Sequence, residues 1–261
     1  MELPFEKWYP AIFKRRSRRN FSSRLPEREK IDQLERVCRE FRPFGEARVE
    51  FVQSPPEGIF KGIVGRYGKV TGAPFYLAFI GRLSSPRVQE IAGYVGEAAV
   101  LEATALGLDT CWVGGFFKPE IVRQRLSLEE EEKVLSVSPL GYAREPLNLT
   151  ERTFRGIAGS AKRKSLKELI VQGNPDSSWM KKALESARLA PSAANRQPWR
   201  FSLTEDSILV STDTKRDVSM ISKRLDCGIA MLHLELGALE AGVKGRWEFL
   251  ESPDVAQFTA K

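Results

Sequence analysis

The amino-acid sequence predicts an α+β fold built around two long central helices, in two related halves. Three observations lead there. Helical periods of apolar residues alternate with short strand-like runs along the chain. Two segments, residues 90–106 and 226–241, are small or apolar on most sides, which suits a helix at the centre better than one on the surface. The element order then restarts near residue 165. Ser17 and Ser165, Pro43 and Pro191, and Phe51 and Trp199 each lie 148 residues apart, a spacing that indicates duplication rather than a solenoid. The expected halves are residues 1–160 and 161–261.

The elements follow in order. Residues 3–14 read as a helix with Phe5, Trp8, Ile12 and Phe13 on its apolar side. Pro26, suited to a first helical position, opens a second helix to about Phe41, with Ile31, Leu34, Val37, Cys38 and Phe41 on one face. Pro43 and Gly45 end it, and Arg48 to Val52 alternates as a strand. Residues 54–72, rich in Gly and Pro, predict a loop with a short helix. Residues 73–80 are nearly all apolar, as a strand buried on both faces should be. Pro86 opens the first long helix, to about Leu106. Pro119 begins a short helix, residues 132–142 form a strand, and residues 143–161 are irregular. The second half predicts a short helix from 165, a helix over 176–190, and strands at 198–204 and 207–212. Its long helix runs from Leu225 to Ala241 with Asp226 placed to cap it, and Gly245 to Glu251 reads as a final strand.

Composition narrows the function. A chain of 261 residues can bury a large core in one or two domains. No apolar run approaches the roughly 20 residues of a membrane span, so no membrane partner is expected. The opening Met1-Glu2-Leu3-Pro4-Phe5-Glu6-Lys7 lacks the charged-then-apolar order of a signal peptide. Cys38, Cys111 and Cys227 are odd in number and far apart, and no CxxC occurs. A disulfide framework or a metal site is therefore not expected, and a reducing, cytoplasmic location is. His233 is the single histidine, which leaves little room for Ser-His or Cys-His catalysis. Its apolar neighbours Met231, Leu232 and Leu234 make it a core or interface histidine.

The formal charge of +7 suits anionic ligands or nucleic acid. Lys14, Arg15, Arg16, Arg18, Arg19 and Arg24 crowd one segment with no acid among them, and Lys162, Arg163, Lys164 and Lys167 form a second cluster. The two clusters either converge on one phosphate or form a solvated basic face. No recognised nucleic-acid motif accompanies them.

Three segments carry more specific chemistry. In Ala190-Pro191-Ser192-Ala193-Ala194-Asn195-Arg196-Gln197-Pro198-Trp199, Pro191 stops a helix, Ser192 and Asn195 bond readily to nearby backbone, and the amides of Asn195 and Gln197 donate and accept at once. This is either an ordinary helix–loop–strand connection or a loop for a flat, polar-edged ligand. Arg15-Arg16-Ser17-Arg18-Arg19-Asn20-Phe21 combines arginine forks, which pair with phosphate oxygens, and a hydroxyl. Gly107-Leu108-Asp109-Thr110-Cys111-Trp112-Val113-Gly114-Gly115-Phe116 joins a short buried strand to two glycines, either as a plain strand-end turn or to let backbone approach a ligand.

Together these resemble the APSSxNxQPW, RRSxRxF and GLGTCWIGGF motifs of the nitroreductase-like FMN flavoproteins, and the resemblance covers nearly the whole chain. Leu140-Gly141-Tyr142 is similar to that family's lGyP segment, with Ala143 where proline is usual. The resemblance implies a nitroreductase-like fold with antiparallel-rich sheets and FMN as cofactor. By it, Arg15, Arg16 and Ser17 hold the phosphate, with further contacts from among Lys162, Arg163 and Lys164. Arg19 reaches the pyrimidine edge of the ring, where a cation stabilises the negative charge of reduction. Trp112, Val113, Gly114 and Gly115 line the ring, with the Gly115 backbone N–H toward flavin N5. Pro191, Ser192, Ala193, Asn195 and Gln197 complete the set. No catalytic acid–base side chain is implied. Hydride would pass from NADH or NADPH through FMN to a small acceptor such as a nitroaromatic, a quinone or an enone.

Relatives usually form homodimers, each site taking the arginine and glycine segments from one chain and the PSxxNxQPW loop from the other. Here all three lie in one chain, which implies a monomer acting as a pseudo-dimer. The mirror-image site is expected to be dead: Arg42-Pro43-Phe44-Gly45 stands where the first half would need the loop, and the second half has no clear GG segment. A flavin carrier or sensor without turnover, and a basic nucleic-acid-binding protein, remain as alternatives.

Overall fold

Two sheets flank a central helix pair in the computed structural model, which describes residues 1–60, 70–144, 162–214 and 221–261. The order is α1 (Phe5–Lys14), α2 (Arg28–Glu40), β1 (Ala47–Val52), β2 (Phe75–Arg82), α3 (Val88–Ala105), β3 (Asp109–Thr110), α4 (Pro119–Arg123) and β4 (Glu132–Gly141). It continues with α5 (Leu166–Leu169), β5 (Ile170–Gln172), α6 (Ser178–Arg188), β6 (Trp199–Leu203), β7 (Ser207–Thr212), α7 (Lys223–Glu240), β8 (Gly245–Phe249) and β9 (Asp254–Ala260). The first sheet runs β1-β2-β4-β3 and is antiparallel throughout. The second runs β5-β6-β7-β9-β8 and is antiparallel except for the β5–β6 pair. The fold is thus α+β with antiparallel-rich sheets around long central helices, as expected.

The apolar run of β2 is buried from Phe75 to Gly81. Because side chains alternate across a strand, it feeds two cores. Phe75, Leu77 and Phe79 join the main core with α3, while Tyr76, Ala78 and Ile80 join a smaller one with Val113, Phe117, Val122 and Val137. The main core continues without a break into the second sheet through Trp199, Phe201, Val210 and Phe258.

The helices α3 and α7 cross closely because glycines sit at the crossing. A Cβ on Gly93 would come within 3.0 Å of the Leu225 carbonyl, and one on Gly228 would meet the Glu90 carbonyl just as closely. The sequence made α3 look apolar on most sides, yet Glu90, Glu97 and Glu102 are all buried in it. Buried carboxylates need partners, and each has them. Arg224 grips Glu90 with Nε at 3.0 Å and Nη2 at 2.6 Å. Glu102 accepts from Trp8 Nε1 at 2.7 Å and Lys7 Nζ at 2.6 Å. Glu97 pairs with Trp112 and His233.

Several expected boundaries move. Pro26 lies before α2, which starts at Arg28 with Glu27 at its N-cap, although the predicted apolar face is buried. Phe13 is 48% exposed instead of facing the core. The strand after Gly107 is only two residues long. The cap of α7 is Ser222, whose oxygen accepts from Arg224 N at 3.2 Å, because the helix begins two residues before Leu225; Asp226 is spent on a loop instead. Residues 245–249 form one edge of the second sheet and β5 the other, and the final strand is β9, whose burial does not alternate strictly; neither β5 nor β9 is among the predicted strands. Of the loop with a short helix predicted over 54–72, residues 61–69 lie outside those described and no helix is assigned to the rest; the irregular 143–161 lies almost wholly outside them. No described helix is long and apolar enough to cross a membrane.

Candidate functional site

Three chain segments are brought together by backbone hydrogen bonds before any side chain is considered. The first leaves α1 at Arg15, whose φ of −52° and ψ of 130° break the helix. Arg16 Nη1 donates to the carbonyls of Phe13 at 2.8 Å and Arg15 at 2.7 Å, occupying acceptors near the helix end. Ser17 forms a parallel bridge with Thr110, and Arg18 N donates to Thr110 O at 2.9 Å, so the arginines lie beside the glycine segment.

That second segment is laid along β4. Val113 and Val137 exchange N–H···O bonds of 2.8 and 3.0 Å, and Cys111 N donates to Ser138 Oγ at 3.1 Å. Trp112 stacks on Phe79 with ring centroids 4.1 Å apart and planes at 27°. Gly96 of α3 makes this possible, because a Cβ there would come within 3.0 Å of the indole.

The third segment follows α6. Ser192 Oγ accepts from Gln197 N at 2.9 Å, and the N–H groups of Asn195 and Arg196 bond to the carbonyls of Ser192 and Ala193 at 3.0 Å. Ala194, Asn195 and Gln197 take φ values of 52°, 55° and 48°, a left-handed conformation that non-glycine residues adopt at a cost. The loop is stitched to the basic run before α5. Arg163 Nη1 donates to Asn195 Oδ1 at 2.6 Å, Lys164 N to Gln197 Oε1 at 2.8 Å, and Asn195 Nδ2 to Lys162 O at 2.9 Å. Asp226 anchors its other side, accepting from Ala193 N at 3.1 Å and Arg196 Nε at 2.7 Å.

The segments meet at one cavity of about 840 Å³, inside the roughly 300–1,000 Å³ range of small-molecule sites. Arg15, Arg16, Ser17 and Arg19 line it from the first segment, and Trp112, Val113, Gly114 and Gly115 from the second. Arg163, Pro191, Ser192, Ala193 and Asn195 line it from the third. Lys162, Lys164 and Gln197 were expected there but are not among the lining residues. The Lys162 side chain is exposed, and Lys164 Nζ is tied to the carbonyls of Arg196 and Gln197 at 3.1 Å each. Gln197 is buried, with its amide bonded to Asn195 O and Lys164 N. All three hold the loop in shape. Of the three basic residues left open by the sequence, Arg163 alone reaches the cavity.

The sequence reading missed Arg196, Asp213, Lys223 and Asp226, which line the cavity as ion pairs: Arg196 with Asp226 at 2.7 Å and Lys223 with Asp213 at 2.9 Å. Arg196 was visible inside the loop motif; its partner, 30 residues on, carried no local signal. Phe13 and Phe116, 48% and 43% exposed, also line the cavity.

The electrostatics favour an anion. Burial pushes the Arg15 guanidinium below its ordinary value, the Glu97 carboxylate opposing this and Arg16 and Arg19 adding to it. Burial, then repulsion from Arg15 and Arg16, lowers Arg163 to about 10. Both remain ionised at neutral pH, so the cavity concentrates positive charge on planar forks that suit a phosphate group.

A family model described as "Putative TM nitroreductase" matches residues 7–238. The chain shares its fold with a "putative nitroreductase" of Thermotoga maritima, at 21% identity and a TM-score of 0.64, over 97% of this chain and 93% of that one. It is also similar to a nitroreductase family protein of Clostridium difficile, at 22% identity, TM-score 0.45, over 66% of this chain and 98% of that one. A nitroreductase with bound FMN from Bacteroides fragilis matches at 19% identity, TM-score 0.42, over 54% of this chain and 91% of that one. No curated protein matches.

Proposed function

The chain belongs to this nitroreductase family, and from that premise we propose that it is an FMN-dependent oxidoreductase with one working site per chain. The observation that carries the reading is the meeting of the arginine segment, the glycine segment and the Pro191–Asn195 loop at a single cavity. When bound, FMN supplies the hydride chemistry, taking electrons from NADH or NADPH and passing them to a small acceptor such as a nitroaromatic, a quinone or an enone.

The protein's part is to bind, orient and exclude water. Arg15, Arg16 and Arg163 would hold the phosphate through charged forks, with the Ser17 hydroxyl beside them. Arg19 would place a cation near the pyrimidine edge, where charge develops. Asn195, its amide bonded to Arg163 and to Lys162 O, would line the site and hold the Arg163 fork toward the phosphate. Trp112, Val113 and Gly114 would wall the ring, and Gly115 would present its backbone N–H toward N5. Pro191, Ser192 and Ala193 shape the other segment, which Lys164 and Gln197 hold in its strained conformation. No side chain has to move a proton for this step.

All the binding segments come from one chain, residues 15–19 and 112–115 from the first half and 163–195 from the second. This supports a monomer acting as a pseudo-dimer, with halves at 1–160 and 161–261. Three buried free thiols suit the reducing cytoplasm.

The test is direct. The purified protein should be yellow, or take up one FMN per chain, and stopped-flow mixing with NADH or NADPH should bleach the flavin absorbance. A colourless protein that takes up no FMN overturns the proposal. Uptake without reduction by either nucleotide would make the protein a flavin carrier or sensor.

A further inference from the structure

A buried glutamate and the single histidine sit behind the cavity wall and have no part in the reading above. Glu97 on α3 and His233 on α7 are both fully buried. Glu97 Oε2 accepts the indole N–H of Trp112 at 2.7 Å, and Glu97 Oε1 lies 2.9 Å from His233 Nε2. The other ring nitrogen, Nδ1, lies 3.1 Å from the carbonyl oxygen of Ser186.

The proton inventory follows from these contacts. A carbonyl oxygen only accepts, so Nδ1 carries a proton. One more proton lies between Nε2 and Oε1. The indole bond strengthens the charged form of the carboxylate and would weaken on its protonation, which places the proton on the imidazole.

We propose that Glu97 and His233 form a carboxylate–imidazolium pair that positions Trp112 in the cavity wall, which makes Glu97 a positioning residue for the ligand of that cavity. Trp112 is then held on three sides: by the Phe79 stack, by the slot over Gly96, and by the Glu97 bond. The pair also joins the two central helices, so the wall keeps its register with the second half of the chain. Only the identity of the ligand rests on the FMN reading.

One histidine makes the test clean. Protein labelled with ¹⁵N in histidine gives a single imidazole spin system. In the flavin-free wild type at neutral pH, both ring nitrogens should show protonated shifts. Glu97→Gln keeps an oxygen for Trp112 and turns an NH₂ toward His233, so Nε2 should become bare. A bare Nε2 in the wild type overturns the ion pair, and this arm needs no variant. Positioning is read from the Trp112 indole N–H, assigned by its loss in Trp112→Phe. Its solvent exchange should quicken by roughly ten-fold in Glu97→Ala, as expected for loss of one hydrogen bond, and return toward wild type in Glu97→Gln. FMN affinity should follow the same order. Unchanged exchange in folded Glu97→Ala overturns the positioning role. If Glu97→Ala does not fold, Glu97→Leu takes its place in the exchange measurement, where unchanged indole exchange would overturn the positioning role, and an unaltered imidazole in Glu97→Gln would still overturn the ion pair. A wild type that binds no FMN would defeat the flavin reading alone, because the imidazole and indole measurements stand without it.

Discussion

Arg15 occupies an environment that opposes its own charge until a ligand arrives. It is 7% exposed and depressed by burial. Arg15→Met should therefore leave the flavin-free protein no less stable in thermal melts. It should weaken FMN binding by about ten- to a hundred-fold in titration calorimetry, the worth of one charge-assisted hydrogen bond of about 1.5–3 kcal/mol. Arg163 gives the pH dependence. Its value in the fold, about 10, lies below the ordinary 12.5, so the fold disfavours its charge. That penalty is fully present below about pH 10 and is relieved only as pH rises toward the unfolded value. A bound anion offsets it at neutral pH. The melting temperature of the flavin-free protein should accordingly rise with inorganic phosphate at pH 7, and rise less in Arg15→Met. Ala194 carries strain of another kind, with φ at 52°. Ala194→Gly should gain about 1 kcal/mol, seen as a melting temperature raised by about 2–4 °C. The basic run, the loop amides and the glycine pair were legible in the sequence because each is a local pattern. Asp226 was misread as a helix cap because its true partners, Ala193 and Arg196, are distant in sequence.

The crossing of α3 and α7 is decided by backbone proximity. At Gly228 two effects oppose each other. Alanine is the better helix former by about 1 kcal/mol, yet its Cβ would press on the Glu90 carbonyl, which no side-chain rotation can relieve. Overpacking of this sort costs about 1–3 kcal/mol or more. Gly228→Ala should therefore be net destabilising, with an earlier urea midpoint and an unchanged slope. Both central helices were recognisable from their small and apolar residues. The buried glutamates of α3 were not accounted for, because a carboxylate in a helical window does not say whether an arginine or an indole will reach it.

At the scale of the molecule, one continuous core joins both sheets, from Leu77 and Phe79 through α3 and α7 to Phe201 and Phe258. A fragment of residues 1–160 would expose α3 along the face that α7 covers, and it would lack Arg163 and the Pro191–Asn195 loop. It should neither fold stably nor bind FMN. The whole chain should run as a monomer in light scattering with one FMN by absorbance. Covalent linkage of the halves makes their association intramolecular and removes the need for a second chain. A dimer that loses its flavin on dilution would count against this arrangement.

The sequence by itself determined the fold class and the two central helices, and most of the residues it singled out for the site line the cavity, because periodicity and short motifs are written in consecutive positions. The tertiary structure alone decided that Arg163 and not Lys162 or Lys164 reaches the cavity, since that depends on which side chains the loop carbonyls capture. It alone brought Glu97 to Trp112 and His233, residues 15 and 136 positions away, because buried polar groups find partners wherever packing sets them, and packing is a property of the folded chain.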